Sequence, residues 1–313
     1  MLIRIPVYLC LYHNLQAFMK RVLLFYSLLF ALPASSQTWM HLRNEVYFGL
    51  GASNFLGELG GANQVGTNGL KDFEFSMTKP GINVGYRYII SPNFGAKVQF
   101  NQAFVSGNDA LTEEPARQNR NLSFKSPISE LTVMFEYYPF REKIDHVYRF
   151  KGARGKKAKY LSPYFTAGFG GLLFNPKAKY QGKWVELQPL HTEGQGLPGG
   201  PAPYKKYTFC IPVGIGFKYG LSKNWSMGFE ISGRKTFTDY LDDVSTVYYD
   251  NAALAAINPA SAAMADPSLD PSNGFTMTGQ QRGDPTDKDS YMFAIFSVHY
   301  RFLKYRMHLP KFK

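Results

Sequence analysis

The chain has 313 residues, with 35 Lys and Arg against 23 Asp and Glu, a formal net charge of +12 and a mean hydropathy of -0.24. Beyond the N-terminal segment no run nears the ~20 apolar residues that a spanning helix needs, which excludes a helical membrane protein. Tyr (21), Phe (26) and Gly (29) are plentiful, a composition suited to many strands with apolar outer faces and crowded inner ones.

In chain order, the first feature is a targeting segment. Lys20-Arg21 precede the short apolar run 22–31, and Pro33-Ala34-Ser35-Ser36 supply small residues for cleavage before Gln37. The run is too short to span a bilayer and has signal-peptide flanks, so residues 1–36 are expected to be a signal peptide, with Met19 as the expected true start. With no Cys at the cleavage site, no lipid anchor is expected. Arg4, Lys20 and Arg21 leave with this segment, and the mature chain keeps +9. An exported protein is not expected to meet nucleic acid.

Eight strands are predicted, over 44–54, 79–90, 93–106, 128–140, 162–174, 207–221, 225–238 and 289–302. The sixth is the clearest. Its odd positions are Tyr207, Phe209, Ile211, Val213, Ile215, Phe217 and Tyr219; its even positions are Thr208, Cys210, Pro212, Gly214, Gly216, Lys218 and Gly220. Alternate residues of a strand point to opposite faces, so one face is apolar and the other small, polar or charged. That is the pattern of a membrane barrel with a lipid-facing outside and a polar inside. The predicted inward charges are Glu45, Glu130, Glu136 and Glu230 against Arg87, Lys97, Lys218, Arg234 and Arg301. Eight strands leave room only for packed side chains, so these charges are expected to pair as a plug rather than line a pore. Cys210, the one cysteine of the mature chain, is expected to be a small buried filler.

The links alternate. Ser91-Pro92-Asn93 and 221–224 are tight, 141–161 is intermediate, and 55–78, 107–127, 175–206 and 239–288 are long. Outer-membrane barrels put short turns in the periplasm and long loops outside, so both termini are expected in the periplasm, with 303–313 a basic periplasmic tail after the barrel of 37–302. The intermediate link carries Arg141, Lys143, Arg149, Lys151, Arg154, Lys156, Lys157 and Lys159 against Glu142 and Asp145. Of these, Arg149, Lys151, Arg154, Lys156, Lys157 and Lys159 are candidate docking residues for a periplasmic partner; attraction to lipid headgroups is the competing reading. In the last long loop Asp239, Asp242, Asp243 and Asp250 are candidate cation ligands, but the spacing is not that of an EF-hand, and solvated loop acids are the preferred reading. Residues 251–288 read as flexible or partly helical.

No catalytic set emerges. The His residues cannot be assembled with Ser and Asp by spacing, no zinc spacing occurs, and no Gly-rich loop opens a helix. No enzyme activity, cofactor, metal or small-molecule substrate is expected. Convergence of such residues in space is the one route by which an enzyme barrel would escape this reading.

Three stretches carry a resemblance: Gly51–Gly61 (GASNFLGELGG), Trp184–Gly196 (WVELQPLHTEGQG) and Thr236–Ser245 (TFTDYLDDVS). Together they resemble the PorG family of Bacteroidetes outer-membrane barrels. The resemblance implies a non-enzymatic structural or anchoring component of type IX protein secretion, associated with periplasmic ring proteins of the PorK and PorN kind. It carries over no catalytic residues. The alternative is a general OmpA/OmpX-like barrel for envelope integrity or adhesion, and a minor alternative is a membrane-embedded enzyme barrel. The expected fold is all-β, an eight-stranded antiparallel transmembrane barrel.

Overall fold

A computed structural model describes residues 43–57, 59, 75–112, 114–140, 161–222 and 224–302. Segment 1–36, expected to be a signal peptide, the basic link 141–160 and the tail 303–313 lie outside the described residues.

Eight long strands form the wall: β1 (Asn44–Leu56), β2 (Lys79–Ser91), β3 (Phe94–Asn108), β4 (Ser123–Tyr137), β5 (Leu161–Phe174), β8 (Tyr207–Gly220), β9 (Trp225–Thr236) and β10 (Ser290–Phe302). A short hairpin, β6 (Lys177–Tyr180) and β7 (Lys183–Glu186), projects beyond β5. Each wall strand pairs antiparallel with the next in the chain, and β10 returns to β1 in a ladder from Asn44 opposite Phe302 to Leu56 opposite Ser290. The result is a closed eight-stranded antiparallel barrel. Closure leaves no open sheet edge, the condition for a β-structure to cross lipid, where unpaired backbone groups have no water to bond. Among the described residues no helix is long and apolar enough to cross a membrane.

Outside, the wall is apolar. Phe48, Leu50, Val84, Leu131, Phe135, Phe169, Phe209, Val213 and Ile215 are all exposed. Rings mark the tight-turn rim: Phe94 packs on Tyr137, and Trp225 on Tyr300, which in turn meets Phe302.

Inside, two zones are stacked. Toward the tight turns the filling is charged. Toward the long links it is an apolar core in which Phe55, Val105, Phe124, Ile128, Leu172, Phe174, Tyr291 and Phe293 of the wall meet Leu187, Leu190, Tyr204, Leu241 and Val244 of the loops. The described residues of the long links therefore form a cap over one mouth of the barrel.

The predicted strands differ from the observed ones mainly at this upper end. β4 begins at Ser123, not 128, and the hairpin of β6 and β7 falls where the sequence reads as loop. Above the lipid level the pattern inverts: Phe124 and Ala178 turn inward onto the cap core, while Lys125 and Lys179 face out. An apolar-out rule cannot find strands there. Residues 251–288 form two short helices, Asn251–Ile257 and Pro259–Ala265, with Leu254 and Ala265 buried. Asp250 accepts bonds from the amides of Ala252 and Ala253, which caps the first.

Candidate functional site: an occluded lumen and its cap

The nine charged residues predicted to point inward are all buried in the lumen. Glu45 receives Lys218 and Arg301 on one oxygen, with Arg301 Nη2 at 2.6 Å, and Arg87 on the other at 3.1 Å. Arg87 also pairs with Glu136: its Nη2 donates to Oε1 at 2.8 Å, and its Nε lies 2.7 Å from Oε2. Lys97 then bridges Glu136, at 3.4 Å, to Glu230. Higher up, Arg234 pairs with Glu130 at 3.1 Å, and Ser232 links Arg234 back to Glu230. The nine charges form one connected network. Burying charge is tolerable only when lone pairs and protons are satisfied in this way.

Tyrosines complete it. Tyr138 donates to Glu136 and Tyr164 to Glu230, each at 2.9 Å, and Tyr291 donates to Glu130. Arg87 lies between the rings of Tyr47 and Tyr164, 5.4 and 5.5 Å from their centroids. Both rings lie over a glycine directly across the ladder, Tyr47 over Gly85 and Tyr164 over Gly216. A Cβ at Gly216 would stand 2.5 Å from Tyr164 Cζ, so the absence of a side chain there makes the room for the ring. Cys210 is buried with its Sγ 3.9 Å from Glu130.

His299, which alternation places only as an inward residue near Arg301, sits in this network. Its Nε2 is 2.8 Å from Ser297 Oγ, and its Nδ1 is 3.7 Å from Glu45 Oε2, a Ser-His-carboxylate row. The row is not arranged for nucleophilic catalysis. Nδ1 lies 3.1 Å from Arg87 Nη1, which can only donate. Nδ1 must therefore accept, Nε2 carries the proton, and the ring donates to Ser297 instead of taking its proton. All three residues are buried among ion pairs.

The cap has its own polar centre, which no sequence spacing reveals. Glu193 accepts from the amides of Ser245 and Thr246, at 2.8 and 3.1 Å, and pairs with Arg282 at 2.9 Å. Asp243 accepts from Thr192 at 2.5 Å and Tyr204 at 2.6 Å. Burial raises the Asp243 carboxyl to about 6, against the opposing pull of Arg282. Burial and the Asp243 charge push the Tyr204 hydroxyl well up. In the second long link Asp109 pairs with Arg120 at 2.7 Å. Two of the three stretches that carry the family resemblance, 184–196 and 236–245, meet at this centre.

One expectation is corrected here. Asp239, Asp242 and Asp243 are not solvated loop acids but buried ones. Asp242 accepts from the Val244 amide at 3.0 Å, and Asp243 from the Thr192 and Tyr204 hydroxyls. Among the described residues no group of three or more His, Cys, Asp or Glu could hold a metal ion. The candidate docking residues Arg149, Lys151, Arg154, Lys156, Lys157 and Lys159 lie outside the described residues.

A closed ladder, an apolar outside and a filled inside define a membrane-spanning barrel of the outer-membrane type with an occluded lumen. The chain belongs to a family described as "Domain of unknown function (DUF6089)", whose model matches residues 21–258. No curated protein matches it. Among solved structures it is similar to Ail, the attachment invasion locus protein of Yersinia pestis, in complex with the heparin analogue sucrose octasulfate. Identity there is 10%, with 84% of this chain and 100% of that one covered and a TM-score of 0.37. Outer membrane protein W of E. coli is 15% identical over 84% of this chain and 100% of its own, with a TM-score of 0.35. Neisserial surface protein A is 7% identical over 83% and 97%, with a TM-score of 0.37. The barrel itself rests on its own strand ladder.

Proposed function

We propose that this chain is a non-enzymatic, non-conducting barrel of the outer membrane that serves envelope integrity or adhesion through its surfaces, as general OmpA/OmpX-like barrels do. The observation that supports this is the double closure of its interior, by the ion-paired plug from Glu45 to Arg234 and by the loop core above it. Among the described residues the lumen is filled and the Ser297-His299 pair is buried, which favours a molecule that acts by what it presents. The test has three arms. Purified barrel in planar bilayers should give no discrete conductance steps. A serine-reactive fluorophosphonate should leave Ser297 unlabelled. A deletion strain should become sensitive to detergent or lose attachment. Steady ion conductance, Ser297 labelling, or an unchanged envelope and attachment in the deletion strain would each overturn the reading.

A second reading is anchoring in type IX secretion, with PorK- and PorN-like ring proteins as partners. It is favoured by the resemblance and by the basic link, which leaves β4 at Tyr137 and returns at Leu161, both at the tight-turn end of the wall. With the tight turns in the periplasm, that link and both termini share the periplasmic side. Replacing Arg154, Lys156, Lys157 and Lys159 by Ser should then release the ring proteins on co-purification and impair export of cargo. Unchanged co-purification and export would return the link to the lipid headgroups.

A further inference from the structure

Above the apolar belt the outer face around β4 changes character. From Tyr137 the outward residues of β4 run through Phe135 and Leu131 up to Lys125, twelve residues away. At about 3.3 Å per residue and a tilt near 40°, Lys125 stands about 30 Å above Tyr137. The apolar band of such a barrel is about 25 Å tall. Lys125 is therefore at headgroup height.

The hairpin continues this wall. Lys177 lies opposite Lys125, and Lys179 opposite Trp184. Ala178 and Val185 turn into the cap core, which leaves Lys177, Lys179, Trp184 and Glu186 on the outer side. The ammonium groups stand over rings. Lys125 Nζ is 4.3 Å from the Phe104 centroid and 5.8 Å from that of Trp184, and Lys179 Nζ is 5.4 Å from Trp184. Lys205 Nζ is 5.5 Å from the Tyr207 ring.

Charge is one-sided. The acids of 175–207 are Glu186 and Glu193, and Glu193 is buried against Arg282. Glu186 is already engaged by Lys206 at 2.7 Å and Lys177 at 3.4 Å, and its hydrogen bonds from Lys206 and then Asn175 hold its carboxyl at about 2. Among the described residues no carboxylate lies within ion-pair distance of Lys125, Lys179 or Lys205. Lys125, Lys179 and Lys205, each beside a half-exposed ring at the membrane boundary, have the chemistry to take phosphate on the ammonium groups and sugar on the aromatic faces.

We propose that this face holds the phosphorylated headgroup of the glycolipid that fills the outer leaflet, a lipid A type molecule. The inference rests on the reading that the long-loop end faces outward. Detergent-purified barrel is mixed with phosphorylated lipid A, with phosphatase-treated lipid A, or with phosphatidylglycerol, and bound lipid is read by native mass spectrometry. The comparison variant carries Lys125→Gln, Lys179→Gln and Lys205→Gln, with its fold checked by the gel shift on heating. Wild type should retain phosphorylated lipid A at least tenfold better than the variant does, and better than it retains either other lipid. Equal retention by wild type and variant, or phosphatidylglycerol held as firmly as lipid A, would overturn the proposal. Orientation is read separately from a Leu269→Cys variant, exposed on the cap, with a membrane-impermeant maleimide on intact cells. Labelling from outside combined with failed lipid discrimination sinks this proposal alone. No labelling sinks the orientation and the proposal with it.

Discussion

Arg282 and Glu193 are a buried ion pair at 2.9 Å that ties the last long loop to the third. Arg282 also donates to the carbonyls of Asp243 and Ala265, so one guanidinium joins three segments of the cap. Removing one member of a buried pair strands the other charge, which costs about 3–5 kcal/mol. Glu193→Ala should therefore open the cap and leave the wall intact. Limited proteolysis should cut within 239–288, while the gel shift on heating is retained. A cap as protease-resistant as wild type would show that the apolar core alone holds it.

The cap should also respond to pH through Asp243. Its folded carboxyl lies at about 6, above an ordinary value of 3.8. Between those values the folded cap binds a proton that the opened one does not, so cap stability falls as pH rises from about 4 to about 6 and is flat above. The full difference between the two ends of that window is about 3 kcal/mol. Of the groups that face Asp243, Arg282 and the Thr192 and Tyr204 hydroxyls oppose the rise, and the Glu193 charge adds to it. Hydrogen exchange, corrected for intrinsic rate, should show 241–246 better protected at pH 5 than at pH 7, and Asp243→Asn should abolish the difference. Better protection at pH 7 would overturn the sign.

In the lumen, Arg87 neutralises Glu45 and Glu136 together. Arg87→Met should cost about 3–5 kcal/mol in urea unfolding from lipid vesicles. Adding Glu136→Gln should recover part of that, since one stranded carboxylate is removed. A double variant no more stable than the single would mean that Tyr138 and Lys97 already satisfy Glu136.

Across the wall, Phe229 faces lipid against Phe217, 5.6 Å between ring centroids, while Glu230 points inside. Phe229→Arg near mid-membrane should destabilise the barrel by about 2–4 kcal/mol in vesicle folding. A negligible loss there would mean that this face does not meet lipid.

Packing of rings over glycine gives one more check. Gly216→Val should displace Tyr164 and cost about 1–3 kcal/mol, because a filled lumen cannot absorb added methyl groups. Unfolding no different from wild type would show slack beside Tyr164.

The sequence by itself determined which residues of the wall face lipid. Phe48, Leu131 and Phe209 outside, and Glu45, Glu130 and Lys218 inside, follow from alternation, because a strand between lipid and a polar lumen has opposite chemistry at every second residue. The strand count and the order of short and long links follow from the same local signal. Partners are another matter. Arg301 and Glu45 are 256 positions apart, and no local pattern says that they meet, or that His299 turns its acceptor nitrogen to Arg87. The cap was hidden for a different reason. Above the lipid level the outside is water and headgroup, so the alternation inverts; β6, β7 and the start of β4 lose their signature, and the Asp-rich segment at 239–243 reads as solvated. Only the closed barrel, which brings described residues of separate links such as Leu122, Leu190 and Leu241 together over one mouth, supplies the apolar core that buries those acids beside Arg282.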